Sequence, residues 1–241
     1  MTFLEIQGIS KSFRGLKAVS NASFEVPQGS IVALIGPNGA GKTTCFNMIA
    51  GVFAPDSGTI LFQNSSIQNL RPDQVCAAGI GRTFQIVKPF AGLSVLDNVM
   101  VGSFLKETTT LGARRVALEI LQKLNLDAKA NLPAASLTLP DRKCLEVARA
   151  LATRPKLLLL DEVMAGLRPT ECDIMVEVFR DLNRSDGLSI VLIEHVMRAV
   201  MALAHKVVVL HHGEVIARGA PADVVRDAAV LDCYLGEETE V

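Results

Sequence analysis

The chain has 241 residues, of which 49% are hydrophobic, so it can bury a sizeable core. Its formal net charge of −1 gives no general basic surface, which disfavours nucleic acid as a partner. Because the N-terminus lacks the features of a signal peptide and no apolar run reaches the roughly 20 residues of a spanning helix, we expect a cytosolic chain. The cysteines have no paired spacing and are predicted to be small buried hydrophobic residues, not zinc ligands: Cys45, Cys76, Cys144, Cys172 and Cys233.

The N-terminal stretch favours antiparallel strands. Apolar and polar residues alternate over residues 3–13 and 22–26, and the tripeptide after Val26 is typical of a turn. Phe13 ends the first of these stretches, where it either stacks on a purine base or is an ordinary core phenylalanine. An antiparallel β subdomain is therefore predicted to precede a parallel core.

Residues 30–44 have the pattern of a strand, a glycine-rich turn and the start of a helix. The apolar run 31–35 is typical of a strand buried on both faces, and the glycines after it let backbone N–H groups face an anion. Lys42 is placed to reach the β- and γ-phosphates of a nucleotide, Thr43 to bind Mg²⁺, and a helix to about Ala50 directs its positive end at the same oxygens. A flexible glycine turn is the alternative. The predicted phosphate-binding residues are Gly36, Asn38, Gly39, Ala40, Gly41, Lys42, Thr43 and Thr44.

The middle of the chain changes from strands to helices. A strand is predicted over residues 59–63, and a shorter one ends at Gln85, which on its own is an ordinary loop residue. From residue 93 to about 126 the apolar spacing is helical, with a turn-rich break at 108–112, and a further helix runs to Leu151. These residues predict a helical lobe.

Four consecutive leucines, 157–160, are followed by Asp161 and Glu162. The leucines are typical of a central parallel strand, and carboxylates at its carboxyl end lie where ligands bind in open α/β sheets. Given the phosphate loop upstream, Asp161 is predicted to hold Mg²⁺ and Glu162 to polarise the water that attacks the γ-phosphate. The alternative is a helix cap placed by chance.

The last third of the chain continues the alternation. A helix over 170–183 and a strand over 189–193 lead to His195, a lone histidine of a kind that is more often structural than ligand-binding. Strands over 206–210 and 214–218 predict a hairpin, followed by helices from 221 to 235. The remaining histidines are predicted to be solvated turn residues: His205, His211 and His212.

Taken together, nearly the whole chain resembles the ATP-binding subunit of ABC transporters. The phosphate loop, Gln85, a signature-like helix start at Leu137, the Asp161-Glu162 pair and His195 occur in the order of that family. The resemblance implies an α/β fold: a P-loop NTPase core with a mostly parallel sheet, an antiparallel β subdomain and a helical lobe. It also implies one domain over residues 1–241, with a core at 1–88 and 156–241 and the lobe at about 89–155.

Several segments are similar to the branched-chain amino acid importer branch of the family. The resemblance implies an ATPase that drives the import of branched-chain amino acids or related amides. The segments are Gly81–Gln85, Ser94–Val99, Ala165–Glu171, Ile193–Met197 and Tyr234–Glu237.

The family also implies roles for single residues. Phe13 would stack on adenine, Gln85 would contact the metal or water and signal to the membrane subunit, and His195 would contact the γ-phosphate. The catalytic residues would be Glu162, His195 and Gln85, and Mg²⁺ would be held by Thr43, Gln85 and Asp161.

The partners that the family implies belong to a membrane complex. Integral-membrane permease subunits would dock near Gln85 and the helical lobe, a second ATP-binding subunit would close head to tail on this one, and a periplasmic binding protein would act indirectly. The cofactors would be ATP and Mg²⁺. The chain would then be peripheral on the cytoplasmic face of the inner membrane.

The sequence departs from the family at the signature. Where leucine, serine, glycine, glycine and glutamine are usual, the chain has Leu137 to Asp141; Thr138 can replace the serine hydroxyl, but Pro140 has no N–H to donate to phosphate. The alternative function is therefore a nucleotide-dependent dimerisation or regulatory subunit with weak turnover. A soluble ABC ATPase acting on DNA or ribosomes is disfavoured by the lack of a coiled-coil insertion, of a second ATP-binding half and of a basic surplus.

Overall fold

A computed structural model describes residues 2–235, except for the side chain of residue 235. In chain order the strands are β1 (Thr2–Phe13), β2 (Leu16–Pro27), β3 (Ile31–Ile35), β4 (Ser57–Phe62), β5 (Ser65–Ser66), β6 (Ile80–Arg82), β7 (Leu157–Asp161), β8 (Ser189–Ile193), β9 (Lys206–His211) and β10 (Glu214–Gly219). The helices are α1 (Lys42–Ile49), α2 (Pro72–Ala78), α3 (Val95–Ser103), α4 (Thr110–Lys123), α5 (Leu139–Ala152), α6 (Pro169–Asp186), α7 (Met197–Leu203), α8 (Pro221–Val224) and α9 (Ala228–Leu235).

The N-terminal strands form an antiparallel sheet in the order β2-β1-β4-β5. β2 begins six residues before the predicted strand, because it pairs with β1 as far as the hairpin contact of Phe13 with Leu16. The two residues between them, Arg14 and Gly15, have φ angles of 49° and 89°. Positive φ at both central positions is typical of the tight turn that matches the twist of a hairpin.

The second sheet has six strands in the order β10-β9-β3-β8-β7-β6. The strands from β9 to β6 run parallel, and β10 is antiparallel to β9. The mostly parallel sheet and the antiparallel subdomain were both predicted, and the fold class is confirmed.

The parallel strands are buried on both faces because each face covers a different core. In β7, Leu158 and Leu160 pack with helices α3 to α6, whereas Leu157 and Leu159 pack with α1 and the antiparallel sheet. Successive side chains of a strand point to opposite faces, so a strand between two cores has to be apolar at every position. The four leucines follow from this requirement.

Helices α3, α4 and α5 pack together in the connection between β6 and β7. Both α3 and α4 fall within the predicted helical stretch, but the break between them lies at residues 104–109. α2 was not predicted, because it is short and buries only Val75, so it leaves no periodic apolar pattern. Within residues 2–235, every helix is too short or too polar to cross a bilayer.

Of the three histidines predicted to be solvated turn residues, only His211 is corrected. His205 is exposed in the bend before β9, as predicted, and its Nδ1 accepts a hydrogen bond from the backbone N–H of Ile31 at 3.0 Å, which ties the start of β9 to β3. His211 is the last residue of β9 and is partly buried. His212 does lie in the turn, with φ 46° and an exposed side chain.

Candidate active site

The predicted site residues follow strands that are neighbours in the large sheet. β3 pairs with β8, β8 with β7, and β7 with β6. The loops that carry Gly36, His195, Glu162 and Gln85 therefore leave the same edge of the sheet side by side. This edge, at the carboxyl ends of the strands, is where ligands bind in open α/β folds.

The glycines of the phosphate loop are constrained by the chain itself. A Cβ on Gly36 would lie 2.0 Å from the carbonyl oxygen of Leu210, and one on Gly41 would lie 2.4 Å from that of Ala18. Gly39, with φ 80°, has no atom within 4 Å of such a Cβ, so its side of the loop faces open space. Two glycines fit the loop against its neighbours, and the third leaves room for an anion.

Lys42 bends back across this loop. Its Nζ donates hydrogen bonds to the carbonyl oxygens of Gly36 and Pro37, each at 2.7 Å, and the residue is buried. Thr43 follows it in the first turn of α1 and is exposed. The ammonium group, the Thr43 hydroxyl and the N-terminal N–H groups of α1 thus belong to one short segment, as phosphate binding requires.

Three predicted residues meet in one hydrogen-bonded group, the Glu162 cluster, which consists of Gln85, Glu162 and His195. Nε2 of Gln85 donates to Oε2 of Glu162 at 2.6 Å, and Nε2 of His195 lies 2.9 Å from Oε1. Glu162 itself has a φ of 49°, a left-handed conformation that is uncommon outside glycine and recurs at functional sites. The carboxylate is thereby fixed on both of its oxygens.

Asp161 lies beside this cluster but has different partners. Its Oδ2 accepts a hydrogen bond from Nη2 of Arg82 at 3.0 Å, and its backbone N–H donates to Oγ1 of Thr83 at 3.1 Å. Burial raises the pKa of Asp161, while the hydrogen bond from Arg82 lowers it.

The surroundings of Asp161 fit a nucleotide-bound Mg²⁺. Within the described part of the chain, Oδ1 of Asp161 is buried and has no hydrogen-bond partner. A carboxylate oxygen of this kind suits a hard cation that takes its other ligands from water and phosphate. No group of three or more His, Cys, Asp or Glu residues in residues 2–235 has the arrangement of a metal site made by protein ligands alone.

The other two residues predicted to contact the nucleotide, Phe13 and Thr138, interact with other parts of the chain. Phe13 is 43% exposed, and its ring lies edge-on to that of Phe53, with ring centroids 5.2 Å apart. Thr138 caps α5, and its hydroxyl donates to Oδ2 of Asp141 at 2.7 Å. Both side chains are accessible from solvent, and neither belongs to the Glu162 cluster.

Sequence reasoning did not select three charged residues next to the cluster, of which Lys143 and Glu194 are buried and Arg82 is partly buried. Arg82 holds Asp161, Lys143 donates from Nζ to the backbone oxygen of Glu162 at 3.1 Å, and Glu194 accepts from the N–H of Met164 at 2.9 Å. Burial raises the pKa of Glu194 to about 7, although the hydrogen bond from Met164 lowers it. Arg82 and Glu194 lie within the segments similar to the importer branch, and that similarity is the signal that could have identified them.

Two family models match parts of this chain. The model described as ABC transporter matches residues 19–165, and the model described as branched-chain amino acid ATP-binding cassette transporter matches residues 214–240. The first match alone covers more than half of the chain and includes the phosphate loop, Gln85 and the Asp161-Glu162 pair.

Relatives match the chain along almost its full length. The high-affinity branched-chain amino acid transport ATP-binding protein LivG of Escherichia coli (strain K12) is 36% identical over 97% of this chain and 98% of its own. The lipopolysaccharide export system ATP-binding protein LptB of Acidithiobacillus ferridurans is 33% identical over 99% and 98%.

A solved structure gives the same result for the fold. The crystal structure of an ATP-binding cassette of an ABC transporter in its ADP conformation superposes with a TM-score of 0.89, at 30% identity, over 98% of this chain and 99% of that one. A chain with this phosphate loop, this carboxylate cluster and these relatives belongs to the ABC transporter family, as one of its ATP-binding, ATP-hydrolysing members.

Proposed function

We propose that the chain is the ATPase subunit of an importer for branched-chain amino acids or related amides. The observation that carries this proposal is the double match to the importer branch, from LivG over 97% of the chain and from the C-terminal family model over residues 214–240. The likeness to LptB is nearly as high, so a shared cassette does not select a solute by itself. The C-terminal match is what favours the amino acid branch.

The phosphate loop and the first turn of α1 would bind the nucleotide. Lys42 would exchange its two carbonyl acceptors, on Gly36 and Pro37, for oxygens of the β- and γ-phosphates. The open side of Gly39 supports this exchange, because no protein atom fills the space in front of it. Phe13, which is exposed, would stack its ring on the adenine.

Thr43, Asp161 and Gln85 would hold Mg²⁺ together with the nucleotide. The buried, unpartnered Oδ1 of Asp161 supports this assignment. When bound, Mg²⁺ would supply positive charge that offsets the negative charge of the phosphate groups. Arg82 keeps Asp161 in place from the opposite side through Oδ2.

Glu162 would act as the general base of hydrolysis. A water oxygen forms the new bond to the γ-phosphorus, the bond from that phosphorus to the bridging oxygen of ADP breaks, and Glu162 accepts the proton that the water loses. Gln85 contacts one oxygen of this carboxylate and His195 contacts the other. The two residues would therefore orient both the carboxylate and the water. His195 would also reach the γ-phosphate once the nucleotide is bound.

Apolar residues next to Gln85 support docking on a permease. Phe84 and Ile86 are 54% and 68% exposed, and Phe90 is exposed a few residues later. Since Gln85 contacts Glu162, an apolar partner at this surface would act directly on the active site. In this proposal the chain is peripheral on the cytoplasmic face of the inner membrane, paired with a second ATP-binding subunit and served by a periplasmic binding protein.

Purification and transport assays test the proposal. An affinity-tagged copy of the chain, solubilised from membranes of its own cells, is expected to bring down two integral-membrane permease proteins and a second ATP-binding subunit. Vesicles made from this complex and a matching binding protein should take up labelled leucine or a short amide in an ATP-dependent manner. ATP-dependent movement of a lipid in the outward direction, with no uptake of either solute, would contradict it.

A further inference from the structure

Lys143 is a buried lysine in the second turn of α5, with 5% of its surface exposed. A buried ammonium group requires compensating contacts, because removal of the charge from water is unfavourable. Its Nζ donates to the backbone oxygen of Glu162 at 3.1 Å. A side chain of the helix that begins after Thr138 therefore reaches the main chain of the proposed base.

This contact adds to the support of the Glu162 backbone. The N–H of Glu162 donates to the carbonyl oxygen of Ile193 at 2.9 Å, from the side of β8. The carbonyl oxygen of Glu162 accepts from the N–H of Ala165 at 3.2 Å within its own turn, and from Lys143 on the side of α5. Both polar groups of a residue with a φ of 49° are thus bound by different elements. An unusual backbone conformation persists only where its surroundings determine it in this way.

The charge of Lys143 also faces several buried carboxyl groups. Burial raises the pKa of Glu146, Asp161 and Glu194, and the positive charge of Lys143 acts against that rise in each case. Arg149 pairs with Glu146 and Arg82 with Asp161, so these two acids also have guanidinium partners. Lys143 is the cation that all three acids share.

We propose that Lys143 is a positioning residue for ATP hydrolysis. It acts through the main chain of Glu162, keeping the carboxylate between Gln85 and His195, and makes no contact with the nucleotide itself. The inference rests on the proposed function, in which Glu162 is the general base. Loss of Lys143 should therefore lower the rate of the chemical step and leave ATP binding unchanged.

The test compares Lys143→Met and Lys143→Arg in the complex purified on the full-length chain. Lys143→Met is expected to lower kcat by between about tenfold and 10²-fold, the range for a base displaced by about 1 Å, with KM and the ATP Kd within about twofold of the unchanged protein. Lys143→Arg keeps a charged donor and should restore most of the lost rate. Lys106→Met is the matched control, because Lys106 is exposed and its Nζ donates to the backbone oxygen of Ala77 at 3.3 Å.

A double-variant cycle with Glu162→Gln separates positioning from general damage to the fold. If Lys143 acts through Glu162, then Lys143→Met should slow single-turnover hydrolysis by less than about twofold in the Glu162→Gln background. Equal losses in both backgrounds would overturn the inference, as would an unchanged kcat in a folded Lys143→Met protein. If the Lys143→Met protein fails to fold, Lys143→Gln replaces it. The expected result is the same, a lower kcat with an unchanged KM.

A failure of the proposed function and a failure of the inference about Lys143 give different results. If Glu162→Gln alone leaves turnover unchanged, the proposed base is wrong, and the proposed function of the site fails with it. If Glu162→Gln slows turnover and Lys143→Met does not, the inference about Lys143 fails alone.

Discussion

Arg82 donates from Nη2 to Oδ2 of Asp161 at 3.0 Å, and the two side chains are 10% and 3% exposed. The same guanidinium donates from Nη1 to Oδ1 of Asn47 at 2.6 Å. Asn47 belongs to α1, the helix of the phosphate loop, and Asp161 ends β7. One side chain therefore joins the loop that binds phosphate to the carboxylate proposed for Mg²⁺.

Arg82→Met is expected to lower the free energy of unfolding by roughly 3–5 kcal/mol, because it leaves the Asp161 carboxylate buried without its counter-ion. Urea unfolding at neutral pH measures the change. Arg82→Met/Asp161→Asn should recover at least half of the loss, since the second change removes the unpaired charge. Arg115→Met, at the exposed pair with Glu119, should stay within about 1 kcal/mol. A double variant no more stable than Arg82→Met would contradict the pairing.

Lys42→Ala is expected to weaken ATP binding strongly. The change removes the ammonium group that lies across the phosphate loop, and neither Thr43 nor the N–H groups of α1 replace its charge on the β- and γ-phosphates. Equilibrium titration with a non-hydrolysable ATP analogue measures the affinity, and Lys106→Ala serves as the control. An unchanged Kd in a folded Lys42→Ala protein would show that the nucleotide binds elsewhere.

Glu194 should make the stability of the chain depend on pH. Burial raises its pKa from an ordinary value of 4.5 to about 7, so the folded state binds the proton more tightly than the unfolded state. The free energy of unfolding then falls as pH rises from about 4.5 to about 7 and levels off above that range.

Glu194→Gln removes this titration and is expected to flatten the pH profile. At about 1.4 kcal/mol for each pKa unit, the wild-type chain should lose roughly 3 kcal/mol more than the variant across that range. Urea unfolding at closely spaced pH values gives both profiles, and Glu119→Gln on the exposed face of α4 should leave the wild-type slope intact. Parallel profiles for wild type and Glu194→Gln would rule out the assignment.

The signature position predicts unequal sites in a closed pair of unlike subunits. Burial raises the pKa of Asp141, but hydrogen bonds from Lys129 and Thr138 bring it below its ordinary value, so an ionised carboxylate lies in the first turn of α5. With Pro140 lacking an N–H, this helix start suits the γ-phosphate of a partner's nucleotide poorly.

Glu162→Gln in this chain should then reduce the ATPase rate of the complex more than the matching change in a partner with an intact signature. A lost charge-assisted hydrogen bond to phosphate costs roughly 1.5–3 kcal/mol, or about one to two decades in rate when it forms only in the transition state. Turnover of the two single variants in the reconstituted complex decides the question. A larger loss from the partner's variant would contradict the asymmetry.

Sequence alone predicted the antiparallel subdomain, the parallel core and the phosphate loop, because those features depend on local pattern. The leucines before Asp161 and the glycines of the loop leave strong signals at fixed spacing. Gln85 and His195 leave none by themselves, and only their positions after adjacent strands bring them to Glu162. The resemblance to a family supplied that information.

The residues that sequence reasoning missed act through tertiary contacts. Lys143 follows the signature by two residues and has the pattern of a charged residue on an amphipathic helix, yet it is buried because α5 packs against the end of β7. His205 is exposed, as predicted, but the hydrogen bond that its ring accepts from Ile31, a residue far away in sequence, was not predicted. Partners so distant along the chain leave no local pattern.

Glu162→Gln tests the central claim most directly. In the purified complex, the variant should bind ATP with an unchanged Kd, because the amide keeps the size of the side chain, and single-turnover hydrolysis should slow by at least about 10²-fold through loss of the positioned base. Glu119→Gln, with its side chain exposed on α4, should hydrolyse ATP at the wild-type rate. Wild-type hydrolysis by a folded Glu162→Gln complex would contradict the account, since the hydrogen bonds of Gln85 and His195 would then converge on a carboxylate that takes no part in the reaction.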